Sequence, residues 1–403
     1  MSEYLQELDF LMIYSSAFSL QSSACFSFDI DLGGACNLRC PSCPQGNVKD
    51  YRLPHGFMAP ELLARIVAKA VAECEVAQIN LFNWTEPLLH PQLPELIRIV
   101  QKAGIPCYLS SNLNILPNAD AIMAANPASF KISISGFSQE MYGRTHRGGN
   151  VARVKAHMVE LAEARKRNKA TTRIFVNYHR YRHNLKEEPL LREFAAGLGF
   201  DFEPAWALML PLEKILGFME GDDPGLSLTE EDQALIGCLA VPLQEALAAS
   251  QKHGASPCRL RQAQISLDFQ GQVTLCCGVF DAREHTLGNY LDMPVAEIQA
   301  IRQSHPRCAS CMRQGGHVYL TYGYPEIDEL ALANIAPEDG ELLDLPREIA
   351  RKRRQQRLAK LYARFFARFL SAGQKAVLAS WFLRLQGFSR PGRRVKLDKG
   401  ERP

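Results

Sequence analysis

Residues 33–44 read GGACNLRCPSCP and carry three cysteines within eight residues, Cys36, Cys40 and Cys43. Three thiolates on one loop can bind three irons of a four-iron cubane, whereas an electron-transfer cluster takes four cysteines and structural zinc takes four closed ligands. This loop offers no fourth cysteine, so one iron stays open for a chelating amino and carboxylate group. The spacing therefore predicts a [4Fe–4S] cluster that also binds a small molecule.

The loop follows the first of six apolar, β-rich runs, and helical patterns such as 61–74 and 151–166 lie between the runs. Six βα units of roughly 30 residues predict a parallel sheet with helices outside it. Periodicity alone leaves open whether the sheet curls into a barrel or lies open as a doubly wound sheet. The predicted strands are 26–32, 76–83, 107–111, 130–135, 173–178 and 200–206.

The cysteine spacing resembles that of the radical S-adenosylmethionine (SAM) superfamily, and the resemblance extends over about residues 24–316. It implies an α/β fold with a partial (βα)6 barrel over residues 26–209, after an amino-terminal extension over 1–25. It also implies that the cluster passes an electron, supplied by a reductant such as flavodoxin or ferredoxin, to SAM. Methionine leaves, and the 5′-deoxyadenosyl radical abstracts a substrate hydrogen. Ser42 departs from the family pattern, which often has an aromatic residue at this position.

Polar residues follow the next three predicted strands and resemble the SAM contacts of the family. Residues 83–88 read NWTEPL, and Glu86 stands where the family's glycine-glycine-glutamate segment holds the methionine amino group. A carboxylate is a suitable partner for an ammonium group. Serine and asparagine also favour ordinary strand-to-loop turns, but these residues recur at the carboxyl ends of successive strands, where parallel α/β folds build their sites. The other candidate contacts are Ser111, Asn112, Ser133 and Ser135.

Four more cysteines fall within residues 256–316, which we predict to be a separate module after a linker and helix over 210–255. Two paired blocks of cysteine can close a zinc site or bind a full [4Fe–4S] cluster, and spacing alone favours zinc. The block resembles the Twitch and SPASM auxiliary-cluster domains of radical SAM enzymes, and LGNY at 287–290 matches their glycine-asparagine turn. Residues 312–324 hold no further cysteine, so the resemblance implies the one-cluster Twitch form. The predicted ligands are Cys258, Cys276, Cys308 and Cys311.

Two cysteines outside these sets, Cys277 and Cys238, are candidates for a catalytic role. Each is either a packed thiol or a donor that returns a hydrogen atom to a substrate radical. Packing is the more common use of an isolated cysteine, so the two interpretations stand side by side.

Positive charge is concentrated at the carboxyl end, where the residues from Arg347 onward include 17 Lys+Arg and 3 Asp+Glu, although the whole chain has a net charge of +3. We predict a basic tail over 341–403, helical over 341–386. Its apolar residues recur at helical spacing, with the basic residues off that stripe. Such a helix can pack on the barrel, lie on an anionic membrane or bind nucleic acid. We favour the membrane, because Trp381 and several phenylalanines dominate the apolar face and the sequence has no nucleic-acid motif.

Composition favours a cytoplasmic protein. Hydrophobic residues make up 47% and charged residues 22% of the chain, as in ordinary globular proteins. The acidic amino terminus, with Glu3, Glu7 and Asp9, argues against a signal peptide. Twelve cysteines in such a chain indicate metal or redox use rather than disulfides. We expect a cytoplasmic enzyme whose tail makes a peripheral contact at the inner face of the membrane.

The substrate class rests on a further resemblance. The NWTEPL segment is similar to that of radical SAM enzymes that modify sugars or glycoconjugates. With a membrane-seeking tail, this favours a lipid-linked or phosphorylated saccharide, oxidised at an alcohol carbon or epimerised by a radical SAM oxidoreductase or epimerase. The first alternative is a maturase of a ribosomally synthesised peptide, since auxiliary clusters are common in that class too. The second is a non-catalytic metal-binding protein.

Overall fold

The computed structural model describes residues 25–49, 53–220, 228–321 and 325–365. The chain divides into two compact units. The described residues up to Ile349 belong to the first unit, and those from Ala350 to the end of the last described helix belong to the second. All the candidate site residues lie in the first unit.

A single nine-stranded sheet forms the centre of the first unit, with the strand order β6-β5-β4-β3-β2-β1-β7-β8-β9. Neighbouring strands from β1 to β6 are parallel, as the predicted βα units require. The strands are β1 (Cys25–Ile30), β2 (Glu75–Asn80), β3 (Cys107–Ser111), β4 (Ser129–Ser133), β5 (Arg173–Arg180), β6 (Asp201–Trp206), β7 (Gln264–Leu267), β8 (Gln272–Thr274) and β9 (Thr286–Asn289).

Helices connect these parallel strands and cover the sheet. The α/β fold with a partial (βα)6 barrel is thus confirmed, and each of the six strands begins within one residue of its predicted start. The helices up to β6 are α1 (Pro44–Asn47), α2 (Pro60–Glu73), α3 (Leu93–Lys102), α4 (Ala119–Ala124), α5 (Gln139–Thr145), α6 (Val151–Arg167) and α7 (Glu188–Gly197), with short 3-10 turns at Pro87–Leu89 and Leu185–Glu187.

Each barrel strand has one face against the helices and one face turned away from them. In β5, Ile174, Val176 and Tyr178 are buried in the main hydrophobic core, whereas Asn177 and His179 are partly exposed. Side chains of a strand alternate between the two faces, so the second set lines the inside of the barrel. A polar interior surface is therefore built into the strand sequences.

The strand β7 extends the barrel sheet, which the sequence did not reveal. It pairs in parallel with β1, with Phe28 opposite Ile265, and β8 and β9 then continue the sheet in antiparallel fashion. The chain segment that carries the second group of cysteines is therefore joined to the first barrel strand through β7. The domain boundaries themselves stay predictions.

Helices occupy most of the segment between the barrel and the second cysteine group. The sequence predicted a loop followed by one helix over 210–255, but the described part contains three helices. They pack around a second hydrophobic core that includes Leu239, Val241 and Tyr319. The three are α8 (Leu212–Glu220), α9 (Glu230–Cys238) and α10 (Leu243–Gln251).

The remaining helices follow in the chain, from the second cysteine group to the start of the tail. The helix predicted over 341–386 is present as far as Phe365, and its remainder and the rest of the tail lie outside the described residues. None of the described helices is long and apolar enough to cross a bilayer. These helices are α11 (Arg259–Ala263), α12 (Ala282–His285), α13 (Val295–Ser304), α14 (Pro306–Gln314), α15 (Gly316–Tyr319), α16 (Pro325–Asn334), α17 (Pro337–Leu342) and α18 (Leu345–Phe365).

Candidate active site

The predicted site residues gather at the carboxyl ends of the parallel strands. The three-cysteine loop follows β1, Glu86 follows β2, and Ser111 and Asn112 stand at the end of β3. Since parallel strands all end at the same edge of the sheet, their terminal loops form one surface. That edge is where (βα) barrels place their active sites.

The cysteine loop is a tight turn. The amide of Cys43 donates to the carbonyl oxygen of Cys40 at 3.1 Å, and the amide of Leu38 donates to Sγ of Cys36 at 3.5 Å. A Cβ atom at Gly46 would lie 2.3 Å from the carbonyl oxygen of Cys40, so only glycine fits there. The turn therefore holds the three cysteines in one compact loop.

Burial raises the pKa of all three thiols. The pKa of Cys36 rises to about 11, helped by the nearby Glu86 carboxylate, that of Cys43 rises to about 12, and that of Cys40 rises well above its usual value. Within the described ranges, no group of three or more His, Cys, Asp or Glu side chains is arranged so that it could hold a metal ion. Arg39 and Arg147 only partly offset the effect of burial on these pKa values. A bound iron–sulfur group would supply the further positive charge that the thiolate forms need.

Glu86 connects the ends of two strands beside this loop. It is 5% exposed; Oε1 accepts the amide of Leu88 at 3.0 Å and Oε2 accepts the amide of Asn112 at 2.9 Å. Burial raises the pKa of Glu86 to about 7, partly offset by these amides and by Ser111. Asn112 in turn directs Nδ2 towards Sγ of Cys36 at 3.7 Å. The structure therefore brings Glu86, Ser111 and Asn112 together next to Cys36.

Ser135 and Ser133 lie on the neighbouring wall of the barrel. The Ser135 hydroxyl accepts the amide of His179 at 3.0 Å, and its carbonyl oxygen accepts from Thr145 at 3.0 Å. Ser133 is partly exposed on the inner face of β4, and its backbone carbonyl interacts with His146. Both serines thus border the barrel interior, and the Ser135 hydroxyl also orients β5.

Asp31 is a functional residue that the sequence reasoning missed. Its carboxylate accepts the amides of Asn83, Trp84 and Thr85 at 3.0 to 3.2 Å and is 6% exposed. Burial raises its pKa to about 6. Asp31 therefore fixes the turn that presents Glu86. The signal was available, because an acid in a strongly apolar strand is rarely fully buried without partners.

Trp84 joins the turn before Glu86 to the second group of cysteines. Its indole Nε1 donates to the carbonyl oxygen of Val279 at 2.9 Å, and its ring meets Phe280 edge-on at 6.0 Å between centroids. Val279 and Phe280 follow Cys276 and Cys277 in the chain, with only Gly278 between them. The Trp84 side chain thus links the turn before Glu86 to the segment that follows Cys276 and Cys277.

An aromatic residue that follows β5 contacts Ser42. The Tyr181 hydroxyl donates to Oγ of Ser42 at 3.0 Å, and Tyr181 is only 3% exposed. Cys238 lies near this tyrosine, since its carbonyl oxygen accepts the amide of the next residue, Arg182, at 3.0 Å. Burial raises the pKa of Tyr181, and the nearby thiols of Cys40 and Cys238 add to this rise. The structure therefore places Cys238 near the edge of the cysteine loop.

The barrel interior is polar and charged. Asp29 on β1 accepts from Nδ2 of Asn80 at 2.6 Å, and burial raises its pKa to about 6. Lys131 on β4 stands over the Phe82 ring at 4.8 Å, and burial lowers its pKa. His179 on β5 has its pKa lowered to about 4 by burial and by Lys131, so its imidazole is neutral at pH 7. This interior offers donors, acceptors, a cation and an aromatic face.

The second group of cysteines converges on one cavity. Cys258, Cys276, Cys308 and Cys311 all line it, together with apolar residues such as Leu212. Backbone amides point at two of the sulfurs, from Arg261 to Cys258 and from Gly278 to Cys276, each at 3.4 Å. The four predicted ligands thus line the same cavity, although the first and the last, Cys258 and Cys311, are 53 positions apart in the sequence.

Cys277 is close to one of these four cysteines. Its thiol hydrogen-bonds to Cys276, which lowers the pKa of Cys276 and raises that of Cys277. Cys277 also lies within electrostatic range of Asp29 in the barrel interior. Its position is therefore between the cavity and the barrel.

Known proteins resemble this chain in part of its sequence and in its fold. Residues 30–187 match the family model described as Radical SAM superfamily. Among solved structures, the fold is similar to Streptococcus suis SuiB bound to S-adenosylmethionine, with 12% identity, TM-score 0.47, and coverage of 72% of this chain and 68% of SuiB.

Two further structures are similar in the same sense. Native anSMEcpe with bound AdoMet has 16% identity and a TM-score of 0.47, covering 79% of this chain and 99% of that one. BtrN in complex with AdoMet and 2-DOIA has 13% identity and a TM-score of 0.41, covering 72% and 87%. These similarities concern the fold alone. No curated protein sequence matches the chain.

Proposed function

Residues 30–187 place this chain in the radical SAM superfamily, and from that premise we propose that the protein cleaves SAM reductively and abstracts a hydrogen atom from a saccharide or glycoconjugate. One observation carries the first half of the proposal. The buried carboxylate of Glu86, the amide of Asn112 and the thiol of Cys36 meet at one point of the barrel edge. A chelating amino acid bound at a cluster needs an anion for its ammonium group within reach of the cysteines.

The chain's own residues divide the binding work. Cys36, Cys40 and Cys43 would hold the SAM-binding [4Fe–4S] cluster, which supplies the electron for cleavage when bound. Glu86 would accept the methionine ammonium: each of its oxygens has one amide donor and keeps acceptor capacity. An ammonium partner also lowers the raised pKa of this carboxylate, so that it binds as the anion. Ser111, Asn112, Ser133 and Ser135 are the further contacts proposed for SAM.

The barrel interior supports a saccharide as substrate. Asp29, Asn80 and His179 supply hydrogen-bonding groups, and the Phe82 ring supplies an apolar face beside them. A polyhydroxylated ring needs several oriented donors and acceptors, since each buried hydroxyl without a partner costs free energy. Lys131 adds a positive charge that suits a phosphorylated or lipid-linked saccharide. The NWTEPL segment favours the same class.

Transfer of deuterium from substrate to 5′-deoxyadenosine tests the substrate class. Reconstituted, reduced protein is incubated with SAM and nucleotide-linked or phosphorylated sugars that carry deuterium on their carbons. We expect deuterium in 5′-deoxyadenosine with a saccharide, and a Lys131→Met variant should lose at least about tenfold in turnover of a phosphorylated one, about 1.4 kcal/mol. Transfer only from a peptide substrate would instead establish the maturase alternative, and a protein that never cleaves SAM would establish the non-catalytic one.

A second [4Fe–4S] cluster of the Twitch type completes the proposal. The cavity lined by Cys258, Cys276, Cys308 and Cys311 supports it, because four cysteines are the usual ligand set of a fully bound cubane. A flavodoxin or ferredoxin would deliver electrons to the protein.

The basic tail is proposed to bind anionic membrane at the cytoplasmic face. Each Lys or Arg near such a surface adds about 1 kcal/mol of attraction, and the tail has a large excess of them. Truncation after Ile349 should leave SAM cleavage intact and abolish sedimentation with anionic liposomes. This end point retains Glu348, whose Oε2 lies 3.2 Å from Nη1 of the buried Arg180. Binding by the full chain should weaken steeply with salt, with neutral liposomes as the control; salt-insensitive or absent binding contradicts the proposal.

A further inference from the structure

Arg302 is a fully buried guanidinium behind the cavity of the second cysteine group. It lies on α13 and has 0% exposure. Nε donates to the carbonyl oxygen of Leu275 at 2.8 Å, and Nη1 donates to those of Gln264 and, at 3.5 Å, Arg261. Leu275 and Arg261 both line the cavity. The guanidinium is therefore fixed by the backbone of the cavity wall itself.

Arg302 has no ion-pair partner among the described residues, and one of its nitrogens has no hydrogen-bond acceptor there. Its Nη2 is buried and makes no hydrogen bond to any described residue. None of the ion pairs among the described residues includes Arg302. A buried charge without a paired counter-charge costs several kcal/mol, so the guanidinium would stabilise a negative charge held in the adjoining cavity.

The cysteines are the anionic groups that this charge meets. Cys276, Cys308, Cys277 and Cys258 are the groups whose negative charge opposes the effect of burial on the pKa of Arg302. A group that binds them as thiolates would provide that negative charge.

We propose that Arg302 is the counter-charge of the iron–sulfur group held by Cys258, Cys276, Cys308 and Cys311, and that it raises the reduction potential of that group. This inference rests on the proposed second cluster. Net charge and hydrogen bonds to the sulfurs set the potential of such clusters, and a fixed positive charge favours the more negative, reduced state. Apolar neighbours such as Leu212 keep the local dielectric constant low and strengthen the effect.

A raised potential defines a role for this cluster in the reaction. After a hydrogen atom leaves the alcohol carbon of a substrate, the carbon radical can become a carbonyl by losing the hydroxyl proton to a base and one electron to an acceptor. The cluster that Cys258, Cys276, Cys308 and Cys311 would hold beside Arg302 would supply that one-electron acceptor. Arg302 is thus a positioning residue, because it acts through the cluster and does not touch the substrate.

The test is a redox titration followed by electron paramagnetic resonance. It is carried out in the Cys36→Ala, Cys40→Ala, Cys43→Ala background, so that the auxiliary cluster alone contributes. In an Arg302→Met variant we expect the ratio of reduced to oxidised cluster at a fixed poise to fall at least tenfold, which is about 59 mV for a one-electron couple. Arg261→Gln, at a partly exposed arginine of the same cavity, is the matched control and should change the ratio less than about threefold.

A second measurement needs no change at Arg302. Protein labelled with guanidino-¹⁵N arginine, in the same background with Arg261→Gln and Arg307→Gln to remove the two arginines that line the cavity, should show ¹⁵N hyperfine coupling to the reduced cluster. If the Arg302→Met protein holds four irons and the reduction potential of the cluster is unchanged, the role of Arg302 is overturned while the cluster stays in place. Absence of ¹⁵N coupling to the reduced cluster would overturn that role in the same way. Absence of iron in the background protein would instead refute the auxiliary cluster itself, so the two failures are distinguishable.

Discussion

Changing Cys36, Cys40 and Cys43 together to alanine is expected to abolish SAM cleavage and to lower the iron content from about eight to about four atoms per chain, because each cubane contains four irons. The three residues are the only thiols on the loop after β1. The second cysteine group is attached through β7 and its own helices, so it should retain its iron. Iron and sulfide are measured after anaerobic reconstitution, together with 5′-deoxyadenosine.

A matched control distinguishes the loss of a cluster ligand from the loss of a cysteine that binds no cluster. Cys74 follows the end of α2, away from both cysteine groups, and Cys74→Ala should keep about eight irons and full SAM cleavage. Wild-type protein with about four irons and a bound zinc would refute the Twitch cluster. A triple variant that still cleaves SAM would refute the assignment of the loop.

The fate of the substrate radical is the second large expected effect. We expect dehydrogenation: the substrate radical loses a proton to a base and an electron to the auxiliary cluster, and the product is two hydrogens lighter. Replacing Cys258, Cys276, Cys308 and Cys311 by alanine should then abolish turnover while SAM cleavage persists. The structure motivates this choice, because the Cys277 thiol is engaged with Cys276 and Arg302 lies behind the same cavity.

Turnover in deuterated water distinguishes this outcome from epimerisation, in which a thiol returns a hydrogen atom to the opposite face. Cys277→Ala and Cys238→Ala are the two informative variants. Equal formation of the lighter product by wild type and both variants supports dehydrogenation. Deuterium at an inverted carbon, present in wild type and lost in either variant, would establish epimerisation and identify the hydrogen donor.

The parallel sheet could be predicted because local sequence determines most of it. Apolar runs such as 107–111 and 173–178 are long enough to show strand character, and the helices between them have a clear period. Glu86 and Asn112 could be anticipated as neighbours for a related reason. Both follow parallel strands, and strand ends meet at one edge without any knowledge of side-chain contacts.

Contacts between distant segments could not be predicted. The pairing of β7 with β1 joins residues more than 230 positions apart, and nothing in either strand specifies the other. The same is true of the hydroxyl contact between Tyr181 and Ser42, which depends on how separate elements pack. It is also true of the buried guanidinium of Arg302, which has no ion-pair partner among the described residues. The linker over 210–255 was predicted with too few helices, because its short helices are stabilised mainly by tertiary packing rather than by a strong period of their own.

Formation of 5′-deoxyadenosine tests the central claim most directly. Anaerobically reconstituted full-length protein is mixed with SAM and dithionite, and the nucleoside products are separated and quantified against protein that received no reductant. The account predicts 5′-deoxyadenosine and methionine in equal amounts, formed only with reductant. Intact SAM in a sample that contains its full iron and sulfide would contradict it.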